Sequence, residues 1–122
     1  MVNTTGFLTT IKSGVLDTVI ASATHLAVGD DDTAAVAGDT ALGNELTRKA
    51  RQEYTRGASD IIISLYLNSL ESNGNSLKEV GMFDAVSAGN LLERNTFTTI
   101  SKSSAIEVWI DVEEQIDITQ WL

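Results

Sequence analysis

Apolar residues recur at spacings of three and four near the start of the chain, a spacing typical of a helix with one buried stripe. Thr4 or Thr5 is suited to cap such a helix. Gly14 lies within the pattern and costs about 1 kcal/mol relative to alanine, so the helix is expected to depend on docking. The pattern predicts an amphipathic helix over about residues 7–20. Its apolar stripe consists of Phe7, Leu8, Ile11, Val15, Leu16, Val19 and Ile20.

Short runs of alternating apolar and polar residues follow the helix and predict β-strands. Residues 23–28 suit a short strand, and residues 47–56 are polar on both faces, as in an edge strand. Between them, residues 29–43 are rich in Gly, Asp, Thr and Ala, which predicts the longest loop. Residues 60–70 are the best candidate for a central strand, because one face carries only large apolar side chains. That face comprises Ile61, Ile63, Leu65 and Leu67.

Two turn signals organise the second half of the chain. Asn73–Gly74 accepts a positive φ at little cost, which predicts a hairpin that joins strand 60–70 to a strand over 77–83. A second turn at residues 87–89 then leads into a strand over residues 90–100.

The last predicted element is a long strand. Apolar residues occupy even positions from Ile106 to Ile118, interrupted only by Glu114, so an irregularity is expected near Glu113. A helix and about six strands in hairpin order predict a mainly β protein. The fold class is an antiparallel β-sheet or β-sandwich with one N-terminal amphipathic helix. The 122 residues fit a single domain, with the β part over 23–118 and a short tail over 119–122.

The composition limits the functions that are open to the chain. Cysteine is absent, so disulfides, thiolate metal sites and cysteine nucleophiles are excluded. A formal net charge of -9 and a pI of about 4.3 oppose nucleic-acid binding. Excess carboxylates suit a protein that stays hydrated in strong salt, which makes a halophilic source a hypothesis. No secretory signal or run of about 20 apolar residues is found, so we expect a soluble cytoplasmic product that does not enter membranes.

Few residues are candidates for chemistry. His25 is the only histidine, and no serine lies in a Gly-x-Ser-x-Gly context, so a structural histidine and a non-enzymatic protein are predicted. Asp30, Asp32 and Asp39 offer oxygen ligands that suit calcium. Their spacing does not match an EF-hand loop, so a solvated loop is the preferred interpretation. No cofactor is predicted, because no phosphate-binding glycine motif is present.

Aromatic residues are candidates for contacts with other molecules. Trp109 is expected on the solvent side of the last strand, where such residues stack on sugars or lie at protein interfaces. Trp121 and Leu122 are expected to dock either on their own domain or on a neighbour.

Three blocks of the sequence carry recognisable motifs. The first block, residues 29–48, reads GDDDTAAVAGDTALGNELTR. The second spans residues 71–83 and joins an Asn-Gly turn to an x-Glu-x-Gly-x-Phe run, and the third spans residues 89–97. The motif residues are, in order, Leu42, Gly43, Glu45, Arg48, Asn73, Gly74, Glu79, Gly81, Phe83, Leu91, Leu92, Arg94 and Phe97, with Lys102 following. Together, these blocks resemble small virion proteins of tailed phages and archaeal tailed viruses, including tail-fibre-like proteins.

The resemblance implies a structural protein of the virion, made in the host cytoplasm. Such a protein would assemble as a homo-oligomer, together with other virion proteins, on the tail, the baseplate or another appendage. The alternatives are a capsid turret or decoration protein, and a receptor- or glycan-binding module that contacts the host.

Within these blocks, two pairs of opposite charges are candidates for contacts. Glu79 and Arg94 lie on adjacent predicted strands, and Glu45 and Arg48 lie near the predicted edge strand, so both pairs are expected to join strands or subunits. The alternative is an ordinary surface ion pair worth less than about 1 kcal/mol. Gly81, inside a predicted strand, permits a bulge or a close backbone approach.

Overall fold

The computed structural model describes the backbone of residues 5–116 and the side chains of residues 9–116. This part of the chain contains one helix, α1 (Thr5–Ser22), and seven strands. The strands are β1 (His25–Gly29), β2 (Glu45–Ala50), β3 (Glu53–Arg56), β4 (Asp60–Leu67), β5 (Ser76–Phe83), β6 (Leu91–Ser101) and β7 (Val108–Gln115). The mainly β fold with an N-terminal helix is therefore confirmed.

The strands form two antiparallel sheets that pack on a shared core. One sheet has the order β2-β1-β5-β6 and the other has the order β3-β4-β7. The predicted hairpin between β4 and β5 is wrong, because the two strands belong to different sheets. Gly74 does adopt a positive φ of 83°, but the turn carries the chain from one sheet to the other. The turn is held by Lys102, whose backbone N–H donates to Asn75 O at 2.9 Å.

The predicted edge strand over residues 47–56 is two edge strands, one in each sheet. The chain turns the corner between β2 and β3 at Arg51 and Gln52. Its backbone stays bonded to both sheets there, since Arg51 N donates to Thr24 O at 2.9 Å and Gln52 N donates to Ser64 O at 2.8 Å. A single strand that changes sheets at a corner is a recurrent way of closing a sandwich.

The core lies between the inner faces of the two sheets. The predicted apolar face of β4 is confirmed, because all four of its large side chains are fully buried. β7 pairs with β4 without interruption from Val108 to Gln115, so the irregularity predicted near Glu113 is wrong. The residues of this core are Leu16, Ala23, Leu26, Val28, Ile61, Ile63, Leu65, Leu67, Leu77, Val80, Met82, Val108 and Val112.

Helix α1 lies beside the turn between β3 and β4. Leu16 is fully buried, whereas Val15, which belongs to the predicted stripe, is exposed. Arg56 of β3 forms an ion pair with Asp17 of the helix. Arg51 donates from Nη1 to the carbonyl oxygen of Ala23 at 3.2 Å and also to that of Ile20. Arg51 thus satisfies carbonyl groups at the end of the helix, which have no partners within the helix itself.

Candidate functional site

The Asp-rich loop, residues 30–44, connects β1 to β2 and covers the outer face of the four-stranded sheet. Its Leu42 is buried against Ala27 and Phe83 in a second, smaller apolar cluster. A Cβ at Gly81 would lie 2.7 Å from Leu42 Cδ2 and 3.0 Å from Leu91 Cδ1, closer than carbon atoms approach. Because Gly81 has no Cβ, the loop packs directly on the sheet. This is the close approach that the sequence predicted at Gly81.

Glu79 of β5 lies under this loop and is 0% exposed. Its Oε2 accepts hydrogen bonds from the backbone N–H groups of Asp31 and Asn44, both at 3.0 Å. Its Oε1 accepts from Gly43 N at 2.8 Å and from Arg94 Nε at 2.9 Å. A buried carboxylate is tolerated only when it is paired and hydrogen-bonded. Here one carboxylate connects the two ends of the loop to the sheet.

Arg94 of β6 completes this arrangement, and its side chain is only 4% exposed. Its Nη1 lies 3.2 Å from Asp39 Oδ2, and its Nη2 lies 3.7 Å from Asp31 Oδ1. Nη2 also donates to the backbone oxygen of Asp31 at 3.4 Å. We call Glu79, Arg94, Asp31 and Asp39 the Glu79 cluster. It confirms that Glu79 and Arg94 pair across the sheet, within one chain.

The Glu79 cluster favours the charged form of each member. Burial raises the pKa of the Glu79 carboxyl, but the hydrogen bonds from Asn44, Arg94, Gly43 and Asp31 outweigh it and lower the pKa below its usual value. The hydrogen bond with Glu79 raises the pKa of Arg94, against the effect of burial. Bonds from Thr33 lower the pKa of Asp31, and the bond from Val36 N lowers that of Asp39.

The calcium candidates do not converge on a common point. Asp39 accepts from Val36 N at 3.0 Å and binds Arg94, while Asp30 Oδ1 accepts from Asn44 Nδ2 at 2.7 Å. Asp32 is exposed. Within residues 5–116, no group of three or more His, Cys, Asp or Glu side chains is placed to hold a metal ion. A guanidinium occupies the position between carboxylates that a cation would take.

Glu45 and Arg48 pair with each other within β2, so the expectation that this pair joins two strands is wrong. Arg48 binds the Glu45 carboxylate at two points, with Nη2 at 2.7 Å and Nε at 3.1 Å. A bulge in β2 opposite Gly29 explains how residues three apart on a strand share one face. The guanidinium also stacks 3.5 Å from the centre of the Phe83 ring and donates to Ala88 O at 2.8 Å. Arg48 therefore fixes the turn between β5 and β6.

Trp109 lies on the outer face of the three-stranded sheet and is 53% exposed. Its ring centre is 4.9 Å from that of Tyr66, its partner across the β4–β7 pair. Burial and a hydrogen bond with Glu107 raise the pKa of Tyr66. The exposed position expected for Trp109 is thus found. Trp121 and Leu122 lie outside the described residues.

His25 opens β1 and is half-buried, with its Nδ1 2.8 Å from Thr24 Oγ1. This neighbouring hydroxyl gives the ring a local hydrogen-bond partner.

A groove of about 580 Å³ opens where β6, the edge of one sheet, faces β7, the edge of the other. We call it the β6–β7 groove. Its lining residues are Val80, Glu93, Asn95, Thr96, Phe97, Thr98, Ile100, Trp109, Ile110, Asp111, Val112 and Glu113.

Sequence reasoning did not find this groove or the inward position of Glu93. Glu93 lies opposite Met82 of the core, on the inner face of β6. One signal in the sequence points to this inward position. Glu93 and Phe97 are four residues apart on the same strand, and residues an even number apart lie on the same face of a strand. Which strands form the sheet edges, however, depends on the strand order.

The fold and the charged cluster define a β-sandwich in which a buried ion pair fastens a long loop to one face. Comparison of the chain with protein-family models gave no match, and comparison with curated proteins gave none either. In residues 5–116, the helix is neither long nor apolar enough to cross a membrane.

Proposed function

We propose that the protein is a non-enzymatic structural subunit of a tailed-virus particle, which assembles as an oligomer on the tail, the baseplate or another appendage. The observation that carries this proposal is the convergence of the three blocks that resemble virion proteins. Leu42 from the first block packs on Gly81 from the second, and Glu79 from the second binds Arg94 from the third. Residues of the three blocks thus meet in one structural unit.

The chemistry of this unit supports a scaffold. The carboxylate of Glu79 and the guanidinium of Arg94 are both buried and fully used in holding the Asp-rich loop. A general acid or base needs a pKa near the working pH and access to a substrate. The lowered pKa of Glu79 and the raised pKa of Arg94 move both groups away from neutral pH.

The free sheet edges support assembly. β2, β3, β6 and β7 are the outer strands of the two sheets formed by residues 5–116. Unpaired edge strands offer backbone hydrogen bonds to a neighbouring molecule. Such edges suit a subunit that contacts copies of itself and other virion proteins.

The first test is the mass of the purified full-length protein, measured by light scattering during size exclusion at low salt and at molar salt. We expect one discrete oligomer that is more stable at molar salt, because salt screens repulsion between chains that each carry a net charge of -9. A strict monomer in both conditions would contradict self-assembly. Antibody labelling of virus particles then distinguishes an appendage from a capsid turret or decoration protein.

A receptor- or glycan-binding module is a second candidate, and the exposed Trp109 beside Tyr66 favours it. Aromatic platforms of this kind stack on sugar rings. A glycan array with the native chain and the Trp109→Ala variant tests this role. Binding that the variant loses would support it, and an array without signal would exclude the tested glycans.

A further inference from the structure

The β6–β7 groove exposes a strand edge suited to pairing. In residues 5–116, β6 pairs with β5 only, so its other edge has no strand partner there. Residues 95–101 of β6 read NTFTTIS, without a charge or a proline. Proteins commonly protect free edges with lysine, proline, β-bulges or short strands, and this segment has neither lysine nor proline. Its pairing with β5 shifts register between Thr96 and Ile100, so the regular part of the edge lies on either side of this irregularity. An extended chain can therefore add to β6 by backbone hydrogen bonds.

The groove lining includes apolar side chains that pack against the core. An added strand would direct alternate side chains toward the opening between the two sheets. The side chains of Phe97 and Ile100 are only partly buried there and pack against the core. Ile110 of β7 is likewise only partly buried. Apolar side chains of an added strand would complete their burial.

The charge of the groove is one-sided. Its lining includes Glu93, Asp111 and Glu113 but no lysine, arginine or histidine. Glu93 Oε1 accepts from Asn95 Nδ2 at 2.6 Å, while its Oε2 is buried with no hydrogen-bond partner in the described structure. A buried carboxylate oxygen without a donor is costly. A cationic side chain from outside would supply that donor.

We infer that the β6–β7 groove binds an extended segment of another protein, which alternates apolar residues toward the groove and places a lysine or arginine against Glu93. A second copy of this chain fits less well, because it carries the same acidic groove and a net charge of -9. The inference rests on the proposed role in assembly and specifies the chemistry of the partner. The backbone of β6 supplies affinity, and the acidic residues of the groove, Glu93, Asp111 and Glu113, supply specificity.

The test uses the full-length protein and fluorescent strand peptides of about nine residues, a length that matches the free edge. The first peptide alternates valine and threonine and ends in two arginines. Three controls replace the arginines with glutamates, replace them with glutamines, or place proline in the middle of the basic peptide. We expect anisotropy to show binding of the basic peptide alone, weakened by salt. Equal binding of the acidic peptide, or no binding at about 1 mM of the basic one, would overturn the inference.

Two protein variants locate the contact. Glu93→Gln should weaken binding of the basic peptide about tenfold or more, the size expected for a charge-assisted hydrogen bond. Glu53→Gln removes an exposed acid from β3, the edge of the three-stranded sheet opposite β7, and should leave the affinity unchanged. Equal effects of the two variants would show that the peptide responds only to net charge and would overturn the site.

A photo-crosslinking residue at Thr98 distinguishes the occupants of the groove. Thr98 is an exposed residue of β6 within the groove lining. A crosslink to the basic peptide supports the inference, whereas a crosslink to a second copy or to residues 117–122 overturns it. Light scattering on the same samples separates the two proposals. If the protein is a monomer that binds the peptide, homo-oligomeric assembly is contradicted and the groove inference stands. If it is an oligomer that binds no peptide, the groove inference is contradicted and assembly stands.

Discussion

Substitution of Glu79 tests whether the Glu79 cluster holds the Asp-rich loop on the sheet. Glu79→Gln keeps the shape of the side chain but replaces one acceptor oxygen with an NH₂ group. In the native chain both oxygens face donors, from three backbone N–H groups and from Arg94. The new NH₂ group would face at least one donor and would leave Arg94 without its buried counter-charge.

The expected cost follows from this geometry. A hydrogen bond to a charged group contributes about 1.5–3 kcal/mol, but the four bonds of one carboxylate do not add independently. Removal of one partner from a buried ion pair typically costs about 3–5 kcal/mol. We therefore expect Glu79→Gln to lower the free energy of unfolding by about 3–5 kcal/mol. That is a large part of the stability of about 5–15 kcal/mol typical of folded domains.

Urea denaturation of the purified variants measures this loss. The matched control is Asp17→Asn, which removes an acid whose side chain is 64% exposed from the ion pair with Arg56 and should cost less than about 1 kcal/mol. Hydrogen exchange adds a local readout, since the amide protons of Asp31, Gly43 and Asn44 should exchange faster in Glu79→Gln. If Glu79→Gln costs no more than Asp17→Asn, the reasoning about the buried cluster is wrong.

Three further predictions concern pH, glycines and arginine. Because the pKa of Glu79 is lowered from 4.5 in the folded state, its contribution is present above pH 4.5 and is lost as the pH falls through the lower folded value. Urea denaturation below pH 4.5 should show a shallower loss of stability for Glu79→Gln, and identical pH profiles would contradict this. Gly29→Ala should destabilise by more than about 2 kcal/mol in thermal unfolding, because its Cβ would overlap Asn44 O and Glu79 Oε2. Gly14→Ala, with open space around its Cβ, should stabilise the protein by about 0.5–1 kcal/mol. If both variants stabilise or both destabilise the protein, the glycine prediction is contradicted. Arg48→Lys should lower the free energy of unfolding, measured in urea, by about 1–2 kcal/mol, because lysine can neither pair with Glu45 at two points nor stack as a plane on Phe83. Unchanged stability would refute the role of Arg48 in fixing the turn between β5 and β6.

The secondary structure followed largely from local pattern. The alternation of β4 and the turn before β6 were predictable because side-chain period and positive φ are local properties. The turn at residues 87–89 is confirmed, with a φ of 51° at Ala88 and 73° at Gly89. Division of the strands between two sheets was not predictable, since the same Asn73–Gly74 signal serves a hairpin and a crossing between sheets.

The candidate site was predictable only in part. Glu79 and Arg94 were expected on adjacent strands, and they meet diagonally, because Arg94 lies opposite Gly81, two residues beyond Glu79 on β5. The role of Asp31 in the loop was not predicted, because backbone N–H groups such as its own leave no trace in side-chain composition. The calcium hypothesis was based on the carboxylates of the loop alone. The fold places Arg94 among these carboxylates, and no signal in the sequence indicated that.

The distribution of basic residues connects the stability of the protein with its expected partners. The chain has 8 basic residues against 17 acids, and most of the bases already bind groups of their own chain. The basic residues that bind such groups in the described part of the chain are Lys12, Arg48, Lys49, Arg51, Arg56, Arg94 and Lys102.

Because the internal contacts use these cations, few remain to balance the acidic surface or the rim of the β6–β7 groove. Screening by salt relieves the repulsion among exposed acids, whereas a buried pair such as Glu79–Arg94 is screened much less. Molar salt should therefore strengthen contacts between copies of this acidic chain and weaken the contact of the groove with a basic segment. Opposite responses to salt would mark the two kinds of interface as physically distinct.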